Sequence, residues 1–315
     1  MTSLSTQAMQ GFLRRSISSF NDNKLNGLLA EIDFRTHLAA LGFASQVSAG
    51  GWIARSTGTG SFGHDTVVLF PETIVPGANY APLRPKPMPA SGLHTICATF
   101  HQIGIRSFFC SPSINSAEDC ASVSWEAQQL GIPSSPGYGP ISKIFSGFQS
   151  RSKRYNFLRY QTNVSTIPAS QVPEEFSKEH LRIAMSALVL AEISDVDGVF
   201  WGNRYTYPLE IKEKTVANDA RLGPYFGLDL GPFVKLAFYA ARRGNLHSLF
   251  VVREIADTTS RALVEWHFIT FEQLAQFASW IPSGGGANML GGTSTVVRIP
   301  KSEFQILNSA NLGAL

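Results

Sequence analysis

Apolar residues recur at helical spacing over 23–42. Leu25, Leu28, Leu29, Ile32, Leu38 and Leu41 predict an amphipathic helix that Gly42 ends. The pattern then predicts a strand over 43–47, a Gly/Ser/Thr-rich connection over 49–64 and a short strand over 66–70. Residues 71–93 carry six prolines and little periodicity, so they read as a long surface connection. Short apolar runs at 94–100 and 106–110 read as strands. Residues 116–130 read as a helix, because Ser116 followed by Asp119 resembles a capping box and Gly131 stops it before Pro133. A Pro/Gly/Ser turn region follows over 132–140. A second helix is predicted over 173–192, with Glu174 and Glu175 in the first turn, where the helix dipole favours acids. It leads into a strand at Asp197. Beyond Lys214 come a glycine-rich connection, a helix over 232–243 that ends in Arg242-Arg243-Gly244, and a clean strand over 247–254. The tail reads as a strand over 262–268, a helix over 271–279, a glycine loop over 284–292 and a last strand over 294–299. Helices alternate with strands, which predicts an α/β fold with a central mixed sheet flanked by helices.

Composition narrows the class. With 315 residues the chain suits one large domain or two modest ones, and 44% hydrophobic against 16% charged residues suits a sizeable core. The net charge of +3 is compatible with a polyanionic partner without demanding one. No apolar run reaches the roughly 18 residues of a membrane span, so a soluble protein is expected. Three cysteines, Cys97, Cys110 and Cys120, form no CxxC pair; this argues against a zinc ribbon or iron–sulfur cluster and for a reduced, cytoplasmic setting. Residues 1–21 hold Arg14 and Arg15 but no acid. That suits an organelle transit segment, and equally a helix or arm that touches phosphate. The glycine loop lacks the GKS/T of a P-loop, no Gly-x-Ser-x-Gly elbow occurs, and the histidines show no metal spacing.

The chemistry concentrates near residue 200. Asp197-Gly-Val-Phe-Trp is followed, after a polar turn, by Tyr207-Pro-Leu-Glu210-Ile-Lys212-Glu-Lys. Side chains alternate along a strand, so Glu210 and Lys212 share one face while Leu209 and Ile211 enter the core on the other. If the two segments pair, Asp197 stands beside Glu210. Two carboxylates and the Ile211 carbonyl then form an all-oxygen site suited to Mg²⁺, with Mn²⁺ as a substitute. Lys212 would lie beside a phosphate attacked there. An exposed strand can also carry Glu and Lys in alternation with no such role.

The order of helix with an acid, strand, Asp strand, Glu-x-Lys strand, helix and strand resembles the PD-(D/E)XK nuclease superfamily, over 23–47 and 195–254. Val196 stands where the family's name has proline. The resemblance implies a single nuclease domain over 1–315, with an insertion over 48–194 available for DNA recognition and an extension over 255–315. It implies Mg²⁺-dependent hydrolysis of double-stranded DNA to 5′-phosphate and 3′-hydroxyl ends. Within the group a type II restriction endonuclease is expected, and cutting a palindrome would favour a homodimer. The alternatives are a junction-resolving or repair nuclease of the same group, a non-catalytic nucleic-acid-binding or structural protein that carries the same trio, and a metal hydrolase of small phosphoesters.

The resemblance also implies a supporting helix acid, Glu31, with Glu192 as its rival. Asp195 would share the face of Asp197, and Glu213 should point away from Glu210. Lys235 and Tyr239 lie one turn apart on the downstream helix, a spacing at which some members carry Gln and Tyr near the scissile phosphate. Arg151, Lys153, Arg154 and Arg159, interleaved with aromatics, are candidates for DNA contact, though a solvated strand has the same composition.

Overall fold

The structure is a computed structural model, and it describes residues 2–17, 22–56, 65–102, 104–132, 137–151, 167–240, 246–279, 283–289 and 292–315. In chain order its elements are α1 (Thr6–Ile17), α2 (Asp22–Ala40), β1 (Val47–Ser48), β2 (Gly51–Ser56), β3 (Thr66–Pro71), α3 (Ser91–Gln102), β4 (Arg106–Ile114), β5 (Val123–Leu130), β6 (Gly139–Pro140), β7 (Gln149–Ser150), α4 (Val172–Leu188), β8 (Val189–Val196), β9 (Gly198–Trp201), β10 (Thr206–Lys214), β11 (Ala217–Asp219), β12 (Gly223–Asp229), α5 (Leu230–Ala240), β13 (Leu249–Ile255), β14 (Leu263–Thr270), α6 (Phe271–Phe277), β15 (Ser283–Met289), β16 (Gly292–Pro300), β17 (Gln305–Ile306) and α7 (Ser309–Gly313). The fold is mixed α/β, as the alternation of patterns predicts.

The chain divides into two compact units, Met1–Leu25 with Ala49–Val196, and Asn26–Ser48 with Asp197–Leu315. The segment read as an insertion thus carries its own sheet and core. Its strands run in the order β6-β5-β4-β3-β2-β8-β7. β3 and β4 are parallel and joined through α3, whereas the other pairings are antiparallel. On β3, Val67, Val68, Leu69 and Phe70 are all buried, as suits a strand covered on both faces. Helix α1 packs Phe12 edge-on against Phe176 of α4, with ring centroids 5.1 Å apart.

Several elements of this unit differ from the expectation. Strand β2 occupies part of the stretch read as a connection over 49–64, and the helix expected over 173–192 ends at Leu188, so that Glu192 lies on strand β8 and not on a helix. Residues 94–100 lie in helix α3, which buries Leu93, Ile96, Cys97 and Phe100 at helical spacing. Residues 116–130 are not a helix. Asp119 accepts from the Ala121 N–H and caps only a one-turn 3₁₀ helix, Cys120–Ser122. Strand β5 follows, with Val123, Trp125 and Ala127 buried in alternation.

The second unit holds a six-stranded sheet, β1-β9-β10-β13-β14-β17, and a four-stranded one, β11-β12-β16-β15. β9 and β10 are antiparallel, and α5 carries the chain over to β13, which runs parallel to β10. The predicted strand over 43–47 shortens to β1, preceded by a 3₁₀ turn at Ala44–Gln46. The glycine segment read as a loop is strand β15, paired with β16. One face of the large sheet packs Leu209, Ile211, Val251 and Phe268 against Ala30, Phe34 and Leu38 of α2. The other packs Phe250, Val252 and Ile269 against Leu236 of α5, Phe226 and Leu228 of β12, and Val297 and Ile299 of β16. Among the described residues no helix is long and apolar enough to cross a membrane.

Candidate active site

Asp197 lies immediately before β9, and Glu210 and Lys212 lie on β10, within the second unit. The antiparallel ladder ends at Leu209 opposite Gly198. Beyond it, the Asp197 side chain takes over: the Ile211 N–H donates to Asp197 Oδ2 at 2.8 Å. This bond fixes the carboxylate against the strand that carries Glu210. Gly198 fits closely here: a Cβ at that position would lie 3.1 Å from the Ser48 carbonyl oxygen and from the Leu209 side chain, so these neighbours would have to give by a few tenths of an ångström. Both carboxylates are deeply buried, Asp197 at 2% and Glu210 at 1% exposure. Burying two negative charges demands opposite charge close by.

Two lysines supply it. Lys212 Nζ lies 2.6 Å from Glu210 Oε1 and 3.8 Å from Asp197 Oδ2. Strand alternation brings Glu210 and Lys212 to the same face, as the spacing predicts. From α5, which covers that face, Lys235 pairs with Glu210 Oε2 and stands 3.9 Å from Asp197 Oδ1. Tyr239, one turn further along α5, is buried. The spacing of Lys235 and Tyr239 is visible in the sequence, but the direct pairing of Lys235 with both carboxylates is not, because it depends on how α5 crosses the sheet. Lys214 continues the same row on β10. Burial pushes its ammonium pKa down, opposed by nearby Asp229.

Glu31, on α2, is 7% exposed, and its carboxylate comes within 4.8 Å of that of Asp197 in an acidic cluster that could hold a metal ion. The rival acid, Glu192, lies on β8 in the other unit and accepts from Arg55 Nε at 3.0 Å. Asp195 is the penultimate residue of the same strand, two residues before Asp197. Glu213 points away from Glu210, as alternation requires: it accepts from Arg253 at 3.1 Å and pairs with Arg261 at 2.8 Å. Burial raises its carboxyl pKa against those two guanidinium groups. Arg151 lies in the first unit, where its backbone N–H donates to the Leu188 carbonyl at 3.0 Å. Lys153, Arg154 and Arg159 lie outside the described residues.

The donors that converge are carboxylate oxygens held by secondary structure, the ligand chemistry that hard divalent cations select. Asp197 and Glu31 are brought together directly. Glu210 is adjacent to Asp197, yet both its oxygens face lysines. Ile211 joins the site through its N–H to Asp197, whereas the sequence nominates its carbonyl as a metal ligand. No family model matches this chain, and neither a curated protein nor a solved structure was found to match it.

Proposed function

We propose that the chain is a Mg²⁺-dependent endonuclease of double-stranded DNA, in the manner of a type II restriction enzyme. The observation that carries the reading is the convergence of buried Asp197 and Glu210 with Lys212, whose Nζ is 2.6 Å from Glu210 Oε1. The surrounding order supports it: an acid-bearing helix, an antiparallel pair carrying Asp and Glu-x-Lys, a crossover helix and a parallel strand. That order is the one the resemblance to PD-(D/E)XK nucleases leads one to expect.

Asp197, Glu210 and Glu31 would hold the ion. Once bound, Mg²⁺ supplies Lewis acidity toward a phosphodiester. Lys212, one-third exposed at the edge of the buried pair, presents a positive charge where a phosphate would approach. The Ile211 N–H keeps Asp197 oriented, and the apolar face beneath β10 holds the strand in place. Products with 5′-phosphate and 3′-hydroxyl ends, a homodimeric assembly on palindromic DNA and a cytoplasmic location belong to this reading.

The test is incubation of the purified protein with unmethylated phage DNA in Mg²⁺ and in EDTA. Discrete bands that need Mg²⁺ are the expected result. A metal-dependent smear would leave a nuclease without site specificity. Cleavage confined to four-way junctions would indicate a resolving enzyme, and DNA bound but intact on every substrate would overturn the catalytic reading.

A further inference from the structure

Two ammonium groups reach the Asp197–Glu210 pair, and they arrive from different elements. Lys212 comes from β10 itself and Lys235 from α5. Each lies against one oxygen of Glu210 and near one oxygen of Asp197, at 3.8 Å for Lys212 and 3.9 Å for Lys235. Both Glu210 oxygens are therefore faced by cations. Within this quartet, two ammonium groups balance two carboxylates, as the burial of both acids requires, and the Glu31 carboxylate beside Asp197 adds a further acid. A divalent ion on the same carboxylates would meet two like charges within a few ångström, and one of them must withdraw. Lys212 is tied to a central strand of the sheet. Lys235 is less exposed than Lys212, 20% against 33%, but it stands on the covering helix α5 rather than in the sheet, and its long flexible stem lets the head group move out to solvent, while Lys212 stays to meet the phosphate in the function proposed above.

We infer that Lys235 is a built-in counter-cation of the Asp197–Glu210 pair. A divalent ion displaces it on binding, so this residue sets the ion concentration at which the site loads. The inference rests on the metal-binding part of the function proposed above, and it is independent of whether DNA is the substrate. Without Lys235 the quartet carries a net negative charge: the ion-free chain is less stable and the ion binds more tightly. Arginine at the same position keeps the charge and should largely keep the behaviour.

The experiment is calorimetric titration of the full chain with Mn²⁺ and Mg²⁺ at pH 8, without DNA, for the wild type, Lys235→Met, Lys235→Arg and Asp197→Ala. Lys235→Met should bind the ion roughly ten-fold more tightly than the wild type, and Lys235→Arg within about three-fold of it. Asp197→Ala should lose binding. In EDTA the melting temperature of Lys235→Met should fall below that of the wild type, and saturating Mn²⁺ should raise it by more than it raises the wild type. If Lys235→Met folds only when Mn²⁺ is present, that is the same result in stronger form; if Mn²⁺ does not restore it, the inference is overturned. Equal or weaker ion affinity in Lys235→Met, with normal binding by the wild type, overturns the inference alone. A wild type that binds neither ion overturns the metal site as well.

Discussion

The Ile211 N–H donates to Asp197 Oδ2 at 2.8 Å, at the point where the ladder between β9 and β10 has ended. A side chain thus continues the pairing of a strand whose partner has turned away, and the acid is locked to the segment that bears Glu210 and Lys212.

This bond separates two substitutions. Asp197→Asn keeps an oxygen acceptor for the Ile211 N–H and removes the charge. Asp197→Ala leaves a buried donor unsatisfied, at a cost of about 1–3 kcal/mol. Both should lower Mg²⁺-dependent cleavage by at least about 100-fold, but urea denaturation should find the Ala variant clearly less stable than the Asn variant. Equal midpoints would mean that the bond does not hold the strand end.

The first unit should weaken in acid through His180. This buried imidazole accepts from Trp125 Nε1 at 3.0 Å, and its Nε2 lies 2.9 Å from the Cys120 carbonyl oxygen, to which it donates as a neutral ring. Burial lowers its pKa from 6.5 to about 4. The unfolded chain therefore binds a proton at pH values where the folded chain does not. The His180 contribution is complete above pH 6.5 and declines as pH falls toward 4, by up to about 3 kcal/mol. Urea denaturation over that range should show a steeper loss of stability in the wild type than in His180→Gln. Parallel profiles would contradict this assignment.

The three cysteines, Cys97, Cys110 and Cys120, are free and buried. Burial pushes the Cys97 thiol up to about 12 and that of Cys120 to about 11, and raises that of Cys110 further. Thiolate is the reactive form, so Ellman's reagent at pH 8 should react slowly with the native protein and promptly with all three thiols in urea. Fast stoichiometric labelling of the native chain would mean that this core opens readily.

Legibility in the sequence followed the length scale of the signal. Glu210 and Lys212 were readable because two residues along a strand return to the same face. Asp197 was readable because a short polar turn brings the next strand back beside it. Lys235 was only half readable: its spacing from Tyr239 is local, but its approach to Glu210 depends on the crossover of α5. The errors have similar causes. At 94–100 a short apolar run fits a strand or a helix equally, and packing under β4 and β5 selects the helix α3. At 116–130 a local capping signal at Asp119 outweighed the alternation of Val123, Trp125 and Ala127, although the alternation had the right period. In β15 the glycines hid a strand whose register is supplied by β16. That the segment read as an insertion forms a compact unit with its own sheet was not legible either, because local patterns do not say how a long segment packs.

The most direct test of the central claim is the initial rate of Mg²⁺-dependent cleavage of unmethylated phage DNA by the wild type and by Lys212→Ala, at matched concentration. Lys212 is partly exposed and Glu210 retains Lys235 in its absence, so the variant should fold. The account predicts Mg²⁺-dependent cleavage by the wild type and a loss of at least about 100-fold in the folded variant. Equal rates in the two proteins, or no cleavage by the wild type with Mg²⁺, would contradict it.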